Sequence, residues 1–287
     1  MATLSNITQR REIILVAGAT GNQGGAVVKQ LQAHGWRIRA LSRNPGSPKA
    51  QQLATTGIEV VRGDMNDRNS LVTAMDGVYG VFSVQNFMDA GVETEVLQGT
   101  ILADAAKQGG ITHFVYSSVG GAERNSGVAH FESKRKIEQH IQQIGLPATI
   151  LRPVLFMENF QANFKFVMLS LIASVLGEKP IQLISVQDIG AFTALAFEHP
   201  KAYIGTSLEI AGDELNFRQI QQTLRRETGR RQPYIRIPSF VATSLTGEIG
   251  KMFRWFRDYG YQADMQLMKK LNPQHLTLAQ WARNKGA

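Results

Sequence analysis

Three glycines spaced G-x-x-G-x-x-G, Gly18, Gly21 and Gly24, follow directly on the apolar run Ile13-Ile14-Leu15-Val16-Ala17. They precede Val27, Val28 and Leu31 at helical spacing. Strand, tight turn and helix in that order make the phosphate-binding corner of a dinucleotide-binding βαβ unit. There Gly18 turns the chain off the strand, Gly21 lets backbone approach a pyrophosphate, and Gly24 lets the helix pack close to the sheet. The helix N-terminus presents its amides and dipole to the phosphates. The competing reading is a tight βα turn without a ligand. Some twenty residues on, where an Asp or Glu would hold a ribose 2′-hydroxyl, stand Ser42-Arg43-Asn44-Pro45 and then Lys49. A carboxylate repels a 2′-phosphate and a guanidinium binds it, so the expected cofactor is NADP(H) rather than NAD(H). A solvent-facing loop arginine is the alternative. His130 and Lys134 lie one helical turn apart. An imidazole can donate a proton near neutral pH, and the ammonium can bind a nicotinamide ribose. These two are the candidate catalytic residues, with a purely structural histidine as the competing reading.

The elements that must position these groups alternate along the chain. Strands are expected at residues 37–41, 58–61, 78–84, 113–116 and 148–151, with helices at 68–75, 93–108 and 129–144. The helix at 93–108 is expected to bury Val96, Leu97, Ile101, Leu102 and Ala105. Asp64, after the third strand, either accepts from an adenine amino group or caps the next helix through an Asx turn. Gln85-Asn86-Phe87 forms a wall near the pyrophosphate and nicotinamide ribose. Strands alternating with helices imply an α/β fold, a Rossmann-type doubly wound parallel sheet with a smaller C-terminal α/β lobe. We place the dinucleotide-binding domain at residues 1–152 and a substrate or partner lobe at 153–287, an approximate boundary because the chain returns to the sheet. In the lobe, Phe156, Phe160, Phe164 and Phe166 suit either a substrate cleft or core packing. Short strands are expected at 181–184, 206–210 and 234–237, and amphipathic helices at 216–227 and around Ile249, Met252, Phe253 and Phe256.

With 287 residues the chain can bury a large core. It has no cysteine, which excludes disulfide and thiolate chemistry and fits a cytoplasmic protein. The first twelve residues are polar and unlike a signal peptide, and the apolar run at 166–176 is too short to span a membrane. The net charge of +8 is uneven: 14 cations face 12 anions in residues 1–150, and 17 face 11 in residues 151–287. Arg225, Arg226, Arg230 and Arg231 close a helix-like stretch, where cations suit the dipole. No nucleic-acid motif accompanies them, and direct nucleic-acid binding is not expected. No metal-ligand cluster or paired-carboxylate signature is present.

The glycine spacing is similar to that of short-chain dehydrogenase/reductase relatives. Those enzymes deliver a proton from a Tyr with a Lys four residues later, helped by a Ser on the fifth strand. None of the six tyrosines here has Lys at that spacing, and His130 stands where the Tyr is expected. Ser117 and Ser118 end the fifth strand, although Val119 is an equal match to the serine position. The chain resembles the NmrA-like family, atypical members of that group. The resemblance rests on Gly18-Ala19-Thr20-Gly21-x-Gln23-Gly24-Gly25, Arg43-Asn44-Pro45, Gly63-Asp64, His130-Phe131-x-x-Lys134, Phe156-x-Glu158-Asn159, Val186-x-Asp188-Ile189-Gly190 and Leu276-Thr277-Leu278-x-Gln280-Trp281. It is strongest with the NADPH-sensor-like branch. It implies NADP contacts at Gly18, Ala19, Thr20, Gly21, Asn22 and Gln23, at Arg43 and Asn44, and at Asp64 and Met65. Further contacts are implied at Gln85, Asn86, Phe87 and Lys134, and at Phe156, Met157, Glu158 and Asn159. The branch carries a Lys before Gln98-Gly99, whereas this chain has Leu97.

Two functions follow as expectations. The first is an NADPH-dependent reductase, or oxidoreductase, of a small hydrophobic acceptor such as a quinone, enone or aromatic carbonyl. The second is a non-catalytic NADPH/NADP⁺ redox sensor that regulates a protein partner. A homodimer is compatible with either.

Overall fold

The computed structural model describes residues 12–161 and 164–286; the polar segment before them lies outside the described residues. In chain order the elements are β1 (Ile13–Val16), α1 (Asn22–Ala33), β2 (Arg37–Ser42), α2 (Pro48–Thr55), β3 (Glu59–Arg62), α3 (Arg68–Ala74), β4 (Val78–Ser83), α4 (Phe87–Gln108), β5 (His113–Ser117), α5 (Ala129–Gln143) and β6 (Ala148–Pro153). There follow β7 (Leu155–Phe156), α6 (Lys165–Leu171), β8 (Ile181–Ile184), α7 (Val186–Glu198), α8 (Pro200–Tyr203), β9 (Ser207–Ile210) and β10 (Asp213–Leu215). Five helices close the chain: α9 (Phe217–Thr228), α10 (Ser239–Leu245), α11 (Gly247–Asp258), α12 (Met265–Leu271) and α13 (Leu278–Gly286). The chain divides into two compact, interleaved units. One holds the described residues through Ser118 with 133–151 and 189–208; the other holds 119–132, 152–188 and 209 onward.

The first unit is built on the seven-stranded sheet, ordered β3-β2-β1-β4-β5-β6-β9. Pairing is parallel from β3 through β6. Four successive apolar residues suit β1 to the sheet centre, where both faces are covered; Ile14, Leu15 and Val16 are fully buried. Strand order reverses between β1 and β4, which opens the crevice at their carboxyl ends where α/β sheets bind ligands. Leu15, Leu71, Val81, Leu102, Phe114, Ile137 and Ile150 form one core of this unit.

Helix α4 departs from the expected phase. Its buried stripe runs through Glu95, Gly99, Leu102 and Ala106, and Leu97 is exposed. The cause is Gly99: a Cβ there would lie 2.5 Å from Ile137 Cδ1, so α5 packs directly on this glycine and sets the rotation. The helix also begins earlier than expected, at Phe87, and breaks at Gly91, whose φ is +85°.

The second unit has its own three-stranded sheet, β10-β8-β7, and a core containing Phe131, Met157, Phe160, Leu183, Phe217, Phe253, Trp255 and Trp281. The amphipathic α9 buries Phe217, Ile220 and Leu224, opens on a capping box of Asn216 and Gln219, and ends at Gly229 with φ +65°. Strands β7 and β10 escape prediction because two and three residues carry no periodicity. Residues 234–237, expected as a strand, form none. Their amides are satisfied by side chains: Ile235 N–H donates to Ser170 Oγ (3.0 Å) and Ile237 N–H to Ser174 Oγ (3.1 Å).

In each unit burial opposes the ionisation of a group that titrates in the acid range. In the first, desolvation lowers the pKa of His113 to about 4, while its Nε2 lies 2.8 Å from Thr149 Oγ1. In the second, desolvation raises Asp188 to about 6 although Leu276 N–H and Asn272 Nδ2 donate to its carboxylate. Between about pH 4 and 6.5 the unfolded chain binds the proton that folded His113 refuses, so this group's stabilisation is lost as pH falls. Asp188 has the opposite sign: the fold keeps a proton that the unfolded carboxyl has released, so its contribution is lost as pH rises through about 6. Each amounts to about 3 kcal/mol. His113→Asn is therefore expected to gain stability relative to the parent as pH falls from 6.5 to 4, and Asp188→Asn to lose it. Urea unfolding across that range checks both, and profiles parallel to the parent's would refute the assignments.

Candidate functional site

The glycine corner sits at the strand-order reversal. Gly18 leaves β1 with φ +67°, and a Cβ on it would lie 3.0 Å from Val84 Cγ1. Gly21 N–H donates to Gly18 O (2.9 Å), and Gly25 N–H closes the first helical bond to Gly21 O (2.9 Å). The amides of Asn22, Gln23 and Gly24 therefore precede the first turn's bonding and open α1. Thr20, Gly21 and Asn22 are exposed, whereas Ala19 and Gly24 are buried. Gly24 is the most constrained: its Cβ would stand 2.2 Å from the Gly18 carbonyl oxygen. Gln23 Nε2 donates to Ser117 Oγ, tying α1 to the end of β5.

Around this corner the carboxyl ends of the neighbouring strands bring the other expected residues. Arg43 follows β2 and is exposed, and Asn44 turns the chain by accepting from Gly46 N–H (3.0 Å). Asp64 Oδ1 accepts from both Asn66 N and Asn66 Nδ2 (2.9 Å each), an Asx turn, while the cap of α3 is Asp67. Gln85, after β4, is buried; its Nε2 donates to Ser83 Oγ (3.0 Å) and approaches Met65 Sδ (3.6 Å). Its Oε1 is buried without a hydrogen-bond partner. Asn86 caps α4 by accepting from Met88 N–H, and Phe87 is half-buried.

Lys134 is nearly enclosed, at 7% exposure. Its Nζ donates to Gln85 O (3.0 Å), lies 3.0 Å from Glu95 Oε1, and stands 5.6 Å from the centre of the Tyr116 ring. Burial lowers the Lys134 pKa and Glu95 opposes that shift. Around it lie Ser118, at the end of β5, and three groups outside the expected site, Ser133, Arg135 and Glu138. Ser133 Oγ donates to Glu95 Oε2, Ser118 Oγ donates to Glu138 Oε1 (2.5 Å), and Arg135 Nη1 donates to Glu138 Oε2 (3.1 Å). Tyr116 is wholly buried, its hydroxyl has no hydrogen-bond partner, and desolvation with Glu95 and Glu138 holds its pKa well above the ordinary value. The sequence does carry a signal for this cluster. Lys134, Ile137, Glu138 and Ile141 form an i, i+3, i+4, i+7 stripe, which places two charges on the buried face of α5.

The remaining expected residues belong to the second unit. His130, half-buried, stands edge-on to Phe131 at 4.7 Å in the first turn of α5, one turn before Lys134. Phe156 and Asn159 are half-buried and Met157 is fully buried. Both carboxylate oxygens of Glu158 accept internally, from Trp281 Nε1 (2.9 Å) and Val186 N–H (3.2 Å).

The donors and the acceptor of the first unit fit a dinucleotide. The unit offers a turn that a Cβ at Gly24 would obstruct, an exposed guanidinium, an enclosed ammonium and an unpartnered buried amide oxygen on Gln85. Gly24→Ala is expected to force the turn apart and to destabilise the protein by at least about 2 kcal/mol. Urea unfolding checks this, and a change below 0.5 kcal/mol, roughly the scatter of surface substitutions, would refute the role assigned to the contact.

Known proteins share this architecture and sequence pattern. A curated relative from Malbranchea aurantiaca, an NmrA-like family domain-containing oxidoreductase (malD), is 29% identical over 265 residues, 83% of this chain and 79% of that protein. An NAD(P)H azoreductase from Xenophilus azovorans is 29% identical over 233 residues, covering 78% and 77%. Among solved structures, the NADPH-dependent quinone oxidoreductase QOR2 of Escherichia coli, complexed with NADPH, superposes with a TM-score of 0.79 at 23% identity, over 96% of this chain and all of that one. The profile of the NmrA-like family matches residues 10–282, and the chain belongs to that family.

Proposed function

We propose that the protein binds NADP(H) and reduces a small, flat, hydrophobic acceptor such as a quinone, enone or aromatic carbonyl. The observation that carries the cofactor reading is the glycine corner at the strand-order reversal, with an exposed Arg43 at the end of β2 where an acid would select NAD(H). The α1 amides receive the pyrophosphate, Arg43 the 2′-phosphate, and Lys134 the nicotinamide ribose. When bound, the cofactor supplies a hydride. The azoreductase and quinone oxidoreductase names of relatives support the acceptor class, as do the phenylalanines of the second unit, of which Phe164 and Phe166 are exposed. A quinone or dye acceptor best tolerates the lack of a Tyr with Lys four residues later, because hydride transfer can lead and His130 or water can supply the proton.

Arg43→Ala is expected to weaken NADP(H) binding by about 1.5–3 kcal/mol and to leave NAD(H) binding unchanged, measured by calorimetric titration. Equal parent affinities for the two cofactors would refute the selectivity. NADPH oxidation should proceed with at least one member of a panel of quinones, enones, aromatic carbonyls and dyes. Tight NADP(H) binding with no turnover on any of them would remove the reductase reading and leave cofactor sensing.

A further inference from the structure

We propose that Glu95 is a positioning residue for Lys134. It keeps the enclosed ammonium charged and aimed beside Gln85, so that dinucleotide affinity depends on the Glu95–Lys134 pair. The inference rests on the reading that the first unit binds a dinucleotide. Glu95 is 1% exposed in the middle of an otherwise apolar stripe of α4. Burying a carboxylate in that setting is unfavourable unless it is paired. Both of its oxygens serve to hold the ammonium in place. Oε1 faces Lys134 Nζ at 3.0 Å, and Oε2 takes the Ser133 hydroxyl, which fixes the carboxylate plane. Gln85 O takes one donor of the ammonium, and Glu95 contributes the ion pair at 3.0 Å.

The charges that face the pair single out Glu95 as the counter-ion. From β5, Tyr116 presents its ring to Lys134 and is held neutral by burial. From α5 itself, Glu138 is occupied by Arg135 and Ser118. Further along α4 and α5, Asp104 is paired with His140 at 2.7 Å. With Glu95 removed, the ammonium keeps Gln85 O and the Tyr116 ring but loses the carboxylate that opposes burial, and a buried lysine gives up its proton at lower pH.

The test uses Glu95→Gln, which keeps the shape and one acceptor and removes the charge. In the parent protein NADPH affinity is expected to be flat from pH 7 to 8.5, above the second ionisation of the 2′-phosphate at about pH 6. In the variant, affinity at pH 7 should stay near the parent's and fall by about tenfold or more towards pH 8.5, as the lysine deprotonates. The Lys134 side-chain carbon shift in the ligand-free variant should titrate in the same range. Glu95→Asp, which restores the charge, should restore a flat profile. In a Lys134→Met background, Glu95→Gln should cost no further affinity. A purely structural role would instead weaken binding equally at every pH. A Glu95→Gln profile that is flat, whether at parent affinity or uniformly weakened, overturns the inference. Absence of NADPH binding by the parent protein would overturn the dinucleotide reading and this inference with it.

Discussion

The first unit depends on a backbone contact that leaves no room for a side chain, the approach of Gly24 in α1 to the carbonyl of Gly18 at the end of β1. A Cβ at Gly24 would stand at 2.2 Å, so the helix is seated on the turn itself. That seating directs the opening amides of α1 to the reversal of strand order, next to the ends of β4 and β5. A second glycine repeats the device on the other side of the unit. Gly190 in α7 lies against Ala26 of α1, where a Cβ would come within 2.8 Å of the Ala26 carbonyl. Helix α1 is thus held close at both its strand-facing and its helix-facing sides, by positions at which only the smallest residue fits.

Against this tightly packed frame stands a core that is not wholly apolar. Between α4, α5 and β5 the first unit encloses Glu95, Lys134, Glu138 and Tyr116 together with Ser118 and Ser133. Apolar residues of similar volume commonly serve stability as well as or better than buried ion pairs, so retention of such a group makes sense only where the charges have another use. The enclosure gives Lys134 a low local dielectric, in which its field on an approaching anion or hydroxyl is stronger than at a surface.

How much of this was legible in the sequence follows from the range of the forces involved. The glycine corner and the alternation of strands and helices are set by neighbours within a few residues, and their pattern survives in one dimension. Arg43 and Lys134 could be named from their spacing to the glycines and to His130. Glu95 could not, because the phase of α4 is decided by Gly99 against Ile137, a contact between distant segments. The same limit applies to residues 234–237, two of whose amides are held by serines more than sixty positions earlier. Asp64 is intermediate: its Asx turn is local, yet the cap of α3 falls to Asp67, which only the turn geometry decides.

The interleaving of the two units has a consequence for how the molecule is made. Helix α7 from Ile189 and the first half of the edge strand β9 belong to the first unit, yet they are reached only after the chain has laid down β7, α6 and β8 of the second. Neither unit is a continuous stretch that could be complete while the rest is still being synthesised. The sheet that begins at residue 13 must wait for residue 207 before its last strand arrives. Pairing over such separations is slow, and during that wait the far edge of β6 is open to any other extended chain. A fragment cut near residue 152 would stay in that condition permanently.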